Sequence, residues 1–410
     1  MTVKEARNLE QGISVDGVTY FVLIRCIIAD APARSFLKQC KPHNSYYGCE
    51  RCIQKGSYYN RRVVFDNVSS ELRTDNTFSS KLFESHHDGD SPLLVLNFGL
   101  VSQFPLDYMH LICIGITKKL VTALFKGPVP YKIKSIDILR ISQRLLRLAP
   151  FVSNDFVRSQ RPLSELKHWK ATEYRLFLLY TGPIALKGIL CPEKYNHFML
   201  LSQSIRILLD DSCDTEWLEY ARLLISKFVK NIPKIYSREF LVYNVHSVLH
   251  LPDDVKHFGS LERCSAFKFE SYLRVIKRAL RSHNNFLEQA VNRICELEAS
   301  SLEAPPVRQE RKLTVKSTPP DNCFRTSDDE LIVVSEDSDF SMDTLFCRRF
   351  KTRCDFLTSP FPSSLVNQWI VNNLSSVYEL AKAKLKSKCL LFPFNETNDF
   401  VCIGMINAQL

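Results

Sequence analysis

Two short motifs almost two hundred residues apart place the strongest constraint on how this chain can fold. Cys49-Glu50-Arg51-Cys52 offers two thiols in a C-x2-C spacing, and His246 and His250 stand four apart in Asn244-Val-His-Ser-Val-Leu-His-Leu251. On a helix, side chains four apart lie on one face, so both imidazoles can serve the same point. Together the four make a closed Cys2His2 tetrahedron, the ligand set of a structural zinc, and the fold must then carry residue 250 back to residue 49. A rival set is local: Cys40, His43, Cys49 and Cys52 follow C-x2-H-x5-C-x2-C and need no distant partner. A third reading leaves His246 and His250 as core histidines on an apolar helical face.

Each motif is flanked by an acid. Asp30 closes an apolar run, Tyr20-Phe-Val-Leu-Ile-Arg-Cys-Ile-Ile-Ala29, and stands 19 residues before Cys49; Glu270 stands 20 residues after His250. Two Mg²⁺ or Mn²⁺ ions held between carboxylates can activate a water or 3′-hydroxyl and stabilise the leaving oxygen of a phosphodiester. Asp30 and Glu270 are therefore candidate catalytic acids. Each also has an ordinary structural reading. Asp30-Ala-Pro is a good helix start, with Asp30 as N-cap and Pro32 in the first turn, and a Glu on a helix surface is unremarkable. After Glu270, Arg274, Lys277, Arg278 and Arg281 recur at i, i+3, i+4 and i+7, opposite Leu273, Ile276 and Leu280. A helix packed through those apolar residues would aim four cations outward, where nucleic-acid phosphates are the natural partners.

The 410 residues are enough for two or three domains, and 45% hydrophobic residues with 27 Phe describe a folded protein. The net charge of +10 is concentrated: residues 131–180 hold ten Lys and Arg against four acids, either a second polyanion-facing surface or a solvated helical face. With only 12 glycines and no phosphate-binding or dinucleotide fingerprint, nucleotide-dependent classes are excluded, and no small-molecule substrate is implied. The opening Met-Thr-Val-Lys-Glu-Ala-Arg lacks the apolar core of a secretion signal, and no 18-residue apolar run exists. An intracellular, reducing compartment and no membrane partner follow as expectations. Of the 14 cysteines, Cys26, Cys113, Cys191, Cys295 and Cys402 read as small buried hydrophobes.

Along the chain, residues 2–11 read as a helix stopped by Gly12, and Asp16-Gly17 as a hairpin turn before a strand over 18–29. Its nearly unbroken apolar character predicts the middle of a sheet covered on both faces. Helical periods follow at Met109–Phe125, Ile136–Leu148, Trp169–Leu190, Tyr195–Leu209 and Thr215–Val229, and another over 266–298. Residues 299–320, rich in Pro, Ser and charge, predict an exposed linker. Beyond it, short apolar runs around one helix near 373–387 predict a small mixed domain. The resulting division is 1–100, a partial core with the C-x2-C segment; 101–245, a helical insertion; 246–298, the paired histidines and last core helix; 299–320, the linker; and 321–410, an α+β domain.

Several stretches together carry a resemblance: Cys26-Ile-Ile-Ala-Asp30-Ala-Pro, His43-Asn-Ser-Tyr-Tyr-Gly-Cys-Glu-Arg-Cys52, Phe104-Pro-Leu-Asp-Tyr-Met-His110, Trp169-Lys-Ala-Thr-Glu-Tyr-Arg175, Tyr243-Asn-Val-His-Ser-Val-Leu-His250 and Ser265-Ala-Phe-Lys-Phe-Glu270. In order, they resemble animal transposases of the CACTA/EnSpm type through about residue 298. The resemblance implies an RNase H-like α/β core interrupted by a large helical insertion, with Asp30 as second and Glu270 as third catalytic acid. It implies a nuclear protein that acts on double-stranded DNA, and it is compatible with a homodimer. The order of acid, C-x2-C, paired His and acid is also similar to the catalytic core of the V(D)J recombinase, which favours the Cys49/Cys52/His246/His250 zinc over the local set. The family's first acid belongs on a strand that precedes this sequence, and neither Asp16, in a turn, nor Asp107, in the insertion, is an obvious substitute. The expectation is thus a truncated or domesticated transposase derivative without cleavage activity. An active DDE enzyme whose upstream part is missing, and a zinc-stabilised interaction scaffold, are the alternatives.

Overall fold

In the computed structural model, residues 3–129, 131–282, 284–301, 313–394 and 398–409 are described. The helix Val3–Gln11 ends at Gly12, whose φ of +100° suits a residue without a side chain. A hairpin follows, with β1 (Ile13–Val15) and β2 (Val18–Tyr20) joined through Asp16 and Gly17, both at positive φ, as a two-residue hairpin turn of this twist requires.

The expected buried strand over 18–29 is not formed. Strand pairing stops at Tyr20, residues 21–30 are irregular, and Phe21 and Leu23 are 68% and 80% exposed. A strand needs neighbours to satisfy its ladder, and among the described residues only β1 pairs with β2. The segment is pinned instead by single contacts: Ile27 N donates to Gln103 O (2.9 Å), Gln103 Nε2 to Ile24 O (2.8 Å), and Arg25 to Phe258 O (3.0 Å). The other strands before residue 101 are β3 (Ser57–Tyr59) and β4 (Arg62–Val64), a second hairpin.

The middle of the chain is helical, as expected. Helices occupy Met109–Thr117, wound as a π-helix and continued by Lys118–Lys126, then Ser135–Leu148, Ala171–Leu186 with a π-turn inside it, Pro192–Leu209 and Thr215–Ile235. Pro192–Leu209 is buried along most of its length, polar His197, Gln203 and Arg206 included, the position of a central helix. Of the basic residues in 131–180, several are structural: Arg161 pairs with Glu173, Arg175 with Glu262, and Arg144 donates to Ala185 and Lys187 carbonyls. Lys132, Lys134, Arg140, Arg158, Lys167 and Lys170 remain exposed. The helix expected over 266–298 is two, Phe267–Ala279 and Phe286–Ser301.

The C-terminal region is all β apart from short turns, not α+β. Its strands are β5 (Cys323–Thr326), β6 (Leu331–Val334), β7 (Thr344–Asp355), β8 (Gln368–Leu374), β9 (Tyr378–Ala381), β10 (Leu385–Pro393) and β11 (Phe400–Gln409). The antiparallel order β6-β5-β10-β11-β8-β7 is closed by a further β6–β7 pairing, so six strands form a ring, with β9 beside the start of β7. The helix expected near 373–387 is replaced by β9, a turn and the start of β10. The Ala- and Lys-rich stretch favours helix locally, but Leu380 and Leu385 are buried in an apolar cluster with Phe324, Ile332, Val334 and Leu345, and tertiary packing overrides propensity.

The barrel and the helices share one apolar core, in which Leu390, Phe392, Val401 and Ile403 pack with the helical residues. Of the expected linker, residues 302–312 lie outside the described residues, and the rest is tied down rather than free. Fully buried Lys388 donates to Ser153 Oγ (3.0 Å), Asp155 Oδ2 (2.6 Å), Asp321 Oδ1 (2.7 Å) and the Thr314 carbonyl. One ammonium thus joins barrel, linker and helical body. Breaking a buried pair leaves an uncompensated charge, so Lys388→Ala should destabilise the protein by about 3–5 kcal/mol. Urea unfolding of the variant and the parent measures this.

Candidate metal centre

The two residues between the cysteines explain how the Cys49–Cys52 loop is held. Glu50 is buried and receives three donors: Arg34 Nε (2.7 Å), Lys38 Nζ (3.0 Å) and the Tyr243 hydroxyl (2.8 Å). Burial by itself would raise the Glu50 carboxyl, but the cationic charges of Arg34, Lys38 and Arg51 outweigh it and hold the group well below the usual carboxylate range. Arg51 donates to the carbonyls of Val101 (3.0 Å) and Phe104 (2.9 Å) and forms an ion pair with Asp254, one turn after His250. Glu50 therefore binds the loop to the helix Ala31–Lys38, and Arg51 binds it to the helix Leu251–Phe258.

The cysteine and histidine motifs meet. All four ligand atoms of Cys49, Cys52, His246 and His250 lie within 4.8 Å of one another, and all four residues are buried. The Sγ atoms of Cys49 and Cys52 are 3.4 Å apart, Cys52 Sγ and His246 Nε2 3.2 Å, Cys49 Sγ and His250 Nε2 3.6 Å, and the two Nε2 atoms 3.4 Å. A tetrahedral ion about 2.3 Å from sulfur and about 2.0–2.1 Å from nitrogen has ligand-to-ligand edges of about 3.3–3.8 Å. The donor set and its spacing fit a structural metal ion. Phe65 stacks on the His246 ring with centroids 5.0 Å apart. Burial lowers the pKa of His250 and favours the neutral imidazole that a ligand must be.

The local alternative does not assemble. Cys40 packs in a different apolar cluster with Phe78 and Phe104 and bridges backbone to backbone with His87. His43 lies tilted against the Tyr243 ring, with centroids 5.7 Å apart. Among the described residues no other group of three or more Cys, His, Asp or Glu converges as a metal site. All 14 cysteines are free; Cys113 and Cys402 are buried as expected, whereas Cys191 and Cys295 are exposed, because each lies at a helix surface rather than in the core.

Asp30 occupies the N-cap of Ala31–Lys38: its Oδ1 accepts from Ala33 N at 2.8 Å, with Pro32 in the first turn. Arg34 also donates to Ala29 O at 2.6 Å, so the Glu50 ion network fixes the backbone beside Asp30. Glu270 is exposed in the first turn of Phe267–Ala279. The structure brings both acids near a residue that the sequence did not single out, His110, whose imidazole feels the charges of Asp107, Asp30 and Glu270. Asp107 organises this point. It pairs with His110 Nδ1, accepts from the backbone N–H groups of Met109 (3.2 Å) and His110 (2.9 Å), and reaches Ala266 N (2.6 Å) at the start of the Glu270 helix. Arg51 is linked to it through Asp254, which accepts from Leu106 N at 2.8 Å. The only sequence signal was Asp-x2-His at a helix start.

The basic helix is less packed than the sequence suggested. Lys277, Arg278 and Arg281 are exposed, and the side chain of Arg274 lies outside the described ones. Leu273, expected on a buried face, is 47% exposed, and Ile276 and Leu280 are half-buried, because this helix packs mainly through Phe267 at its start.

A sequence family described as a domain of unknown function, DUF8592, matches residues 307–405, the closed barrel with its lead-in. No curated protein matches the chain. Among the described residues no helix is long and apolar enough to cross a membrane.

The hydrogen bond that His110 donates to Asp107, followed by the charges of Asp107, Asp30 and Glu270, raises the His110 pKa against the opposing effect of burial. NMR titration should place it above the ordinary value of about 6.5, and Asp107→Asn should bring it down. A raised folded value means that His110 stabilises the fold fully below about pH 6.5 and loses that contribution as pH rises through the folded pKa. An unshifted His110, equal in both forms, would contradict the arrangement.

Proposed function

We propose that this protein is related to CACTA/EnSpm-type cut-and-paste transposases, that its metal centre holds structural zinc, and that it binds duplex DNA. The observation that carries the reading is the convergence of Cys49, Cys52, His246 and His250 with Asp30 and Glu270 standing 19 residues before and 20 after them in the sequence. Two thiolates and two imidazoles in a closed tetrahedral set suit a d10 ion such as Zn²⁺, whereas Mg²⁺ and Mn²⁺ require oxygen ligands. Zinc here would have no open position for substrate. Its role is to fasten the histidine-bearing helix to the Cys49–Cys52 loop, and through Glu50 and Arg51 to set the places of Asp30 and Glu270. In this reading the segment that ends at Asp30 and the helix that bears Glu270 correspond to parts of an RNase H-like core.

Asp30 and Glu270 by themselves hold too few oxygens for two-metal chemistry, which would need a further carboxylate. Each divalent ion needs several oxygen ligands, and the nearby Asp107 is already occupied by three backbone donors and His110. Asp30 is partly engaged as a helix cap. DNA contact needs only exposed cations, and Lys277, Arg278 and Arg281 lie beside Glu270 to supply them.

Affinity for a duplex should fall steeply with salt, because each phosphate contact contributes a slope of about −0.9 in log K against log salt. Replacing Lys277, Arg278 and Arg281 by Ala should flatten that slope by up to about three contacts' worth. Salt-independent or absent binding would favour a protein-interaction scaffold. Nicking of a duplex with Mg²⁺ or Mn²⁺ that disappears in Asp30→Asn and Glu270→Gln would assign both acids to catalysis rather than to structure alone.

A further inference from the structure

A cavity of about 450 Å³ lies between the β3–β4 hairpin, the Lys118–Lys126 helix and the turn at Arg238–Phe240. No part of the metal centre lines it. Its walls are mostly apolar, with Ile114, Pro128 and Phe240 among them, while Arg62, Lys118 and Lys119 supply cations and Glu239 the one lining acid. The hairpin turn holds Asn60 and Arg61 at φ of 44° and 61°, which fixes the pairing of Tyr59 with Arg62 and so the position of Arg62 at the cavity.

Among the described residues none forms an ion pair with Arg62, Lys118 or Lys119, and Glu239 accepts from the Tyr131 hydroxyl (3.5 Å) and Asn60 Nδ2 (3.4 Å). Lys119 is half-buried, with Nζ 4.8 Å from the centroid of the Phe240 ring. Burial, reinforced by Arg62 and only partly opposed by the charge of Glu239, lowers its pKa to about 8. A partly desolvated ammonium without a carboxylate is costly to hold, and an incoming anion removes that cost while an apolar body covers the walls.

We infer that this cavity binds an organic anion with an apolar body, an aryl or acyl phosphate or carboxylate, with Arg62 and Lys119 at the anion and Phe240 against the apolar part. Lys119 is then also an amine that can be captured covalently by an aldehyde bearing such an anion.

Pyridoxal 5′-phosphate is the probe, because it joins an aldehyde and a phosphate to a flat ring. The free amine of Lys119 adds to the aldehyde carbon, a C–N bond forms, and loss of water gives the imine. Borohydride then delivers hydride to the imine carbon and solvent a proton to nitrogen, which fixes the adduct for peptide mass spectrometry. At pH 7 Lys119 should label at least about tenfold faster than exposed Lys230, since burial lowers its pKa and the cavity cations hold the probe's phosphate beside it. Phenyl phosphate and phenylacetate, tested separately, should protect Lys119 and not Lys230, and the stronger of the two identifies the anion. In Arg62→Ala, about tenfold more of that competitor should be needed, the loss of one charge-assisted contact. Equal labelling of Lys119 and Lys230 would overturn the inference. So would labelling that neither small anion slows, or that only duplex DNA slows.

Discussion

Four side chains from two distant parts of the chain meet at one buried point, and the rest of the helical body is organised around that meeting. Cys49 and His250 are 201 positions apart. Closing a flexible loop of that length costs about 5 kcal/mol of chain entropy. A tetrahedral zinc in a small protein site contributes on the order of 10–16 kcal/mol, so a bound ion of that kind exceeds the closure cost with a margin. Without it, two buried thiols and two buried imidazoles packed together would offer each other only weak hydrogen bonds.

The metal centre is also an electrostatic junction. Glu50 and Arg51, the residues between the cysteines, carry opposite charges and reach in opposite directions, Glu50 to Arg34 and Lys38, Arg51 to Asp254. Buried ion pairs of this sort are weak contributors to net stability when compared with apolar packing, but breaking one is expensive. They therefore act as geometric specification. From Glu50 the chain of contacts runs through Arg34 to the backbone at Asp30. From Arg51 it runs through Asp254, Leu106 and Asp107 to Ala266 and the Glu270 helix. A change in the position of the C-x2-C loop would be transmitted to both acids.

The sequence made the ligand set legible because chemistry limits which residues bind a tetrahedral ion, and because spacing four apart on a helix aligns two imidazoles. The helices from 109 to 235 were legible for a related reason: their apolar period is a local signal. Residues 18–29 misled because an unbroken apolar run tells that a strand could be buried, not that neighbours exist to bury it. The stretch 373–387 misled because local helix preference is worth tenths of a kcal/mol per residue, less than burying Leu380 and Leu385 against β5, β6 and β7. Closure of that barrel by β6 and β7 depends on pairings across the sequence that no local pattern announces. His110 appeared in the sequence only as the end of a motif, since its pairing with Asp107 and the charges of Asp30 and Glu270 bear on it only in the folded chain.

The account stands on one coordination sphere, and X-ray absorption at the metal edge of the purified protein reads it directly. It should show two sulfur neighbours at about 2.3 Å and two nitrogen neighbours at about 2.0–2.1 Å around zinc, with the nitrogen shell altered in His250→Ala. Three sulfur neighbours, which would bring Cys40 into the site, or a nitrogen shell indifferent to His250, would contradict it.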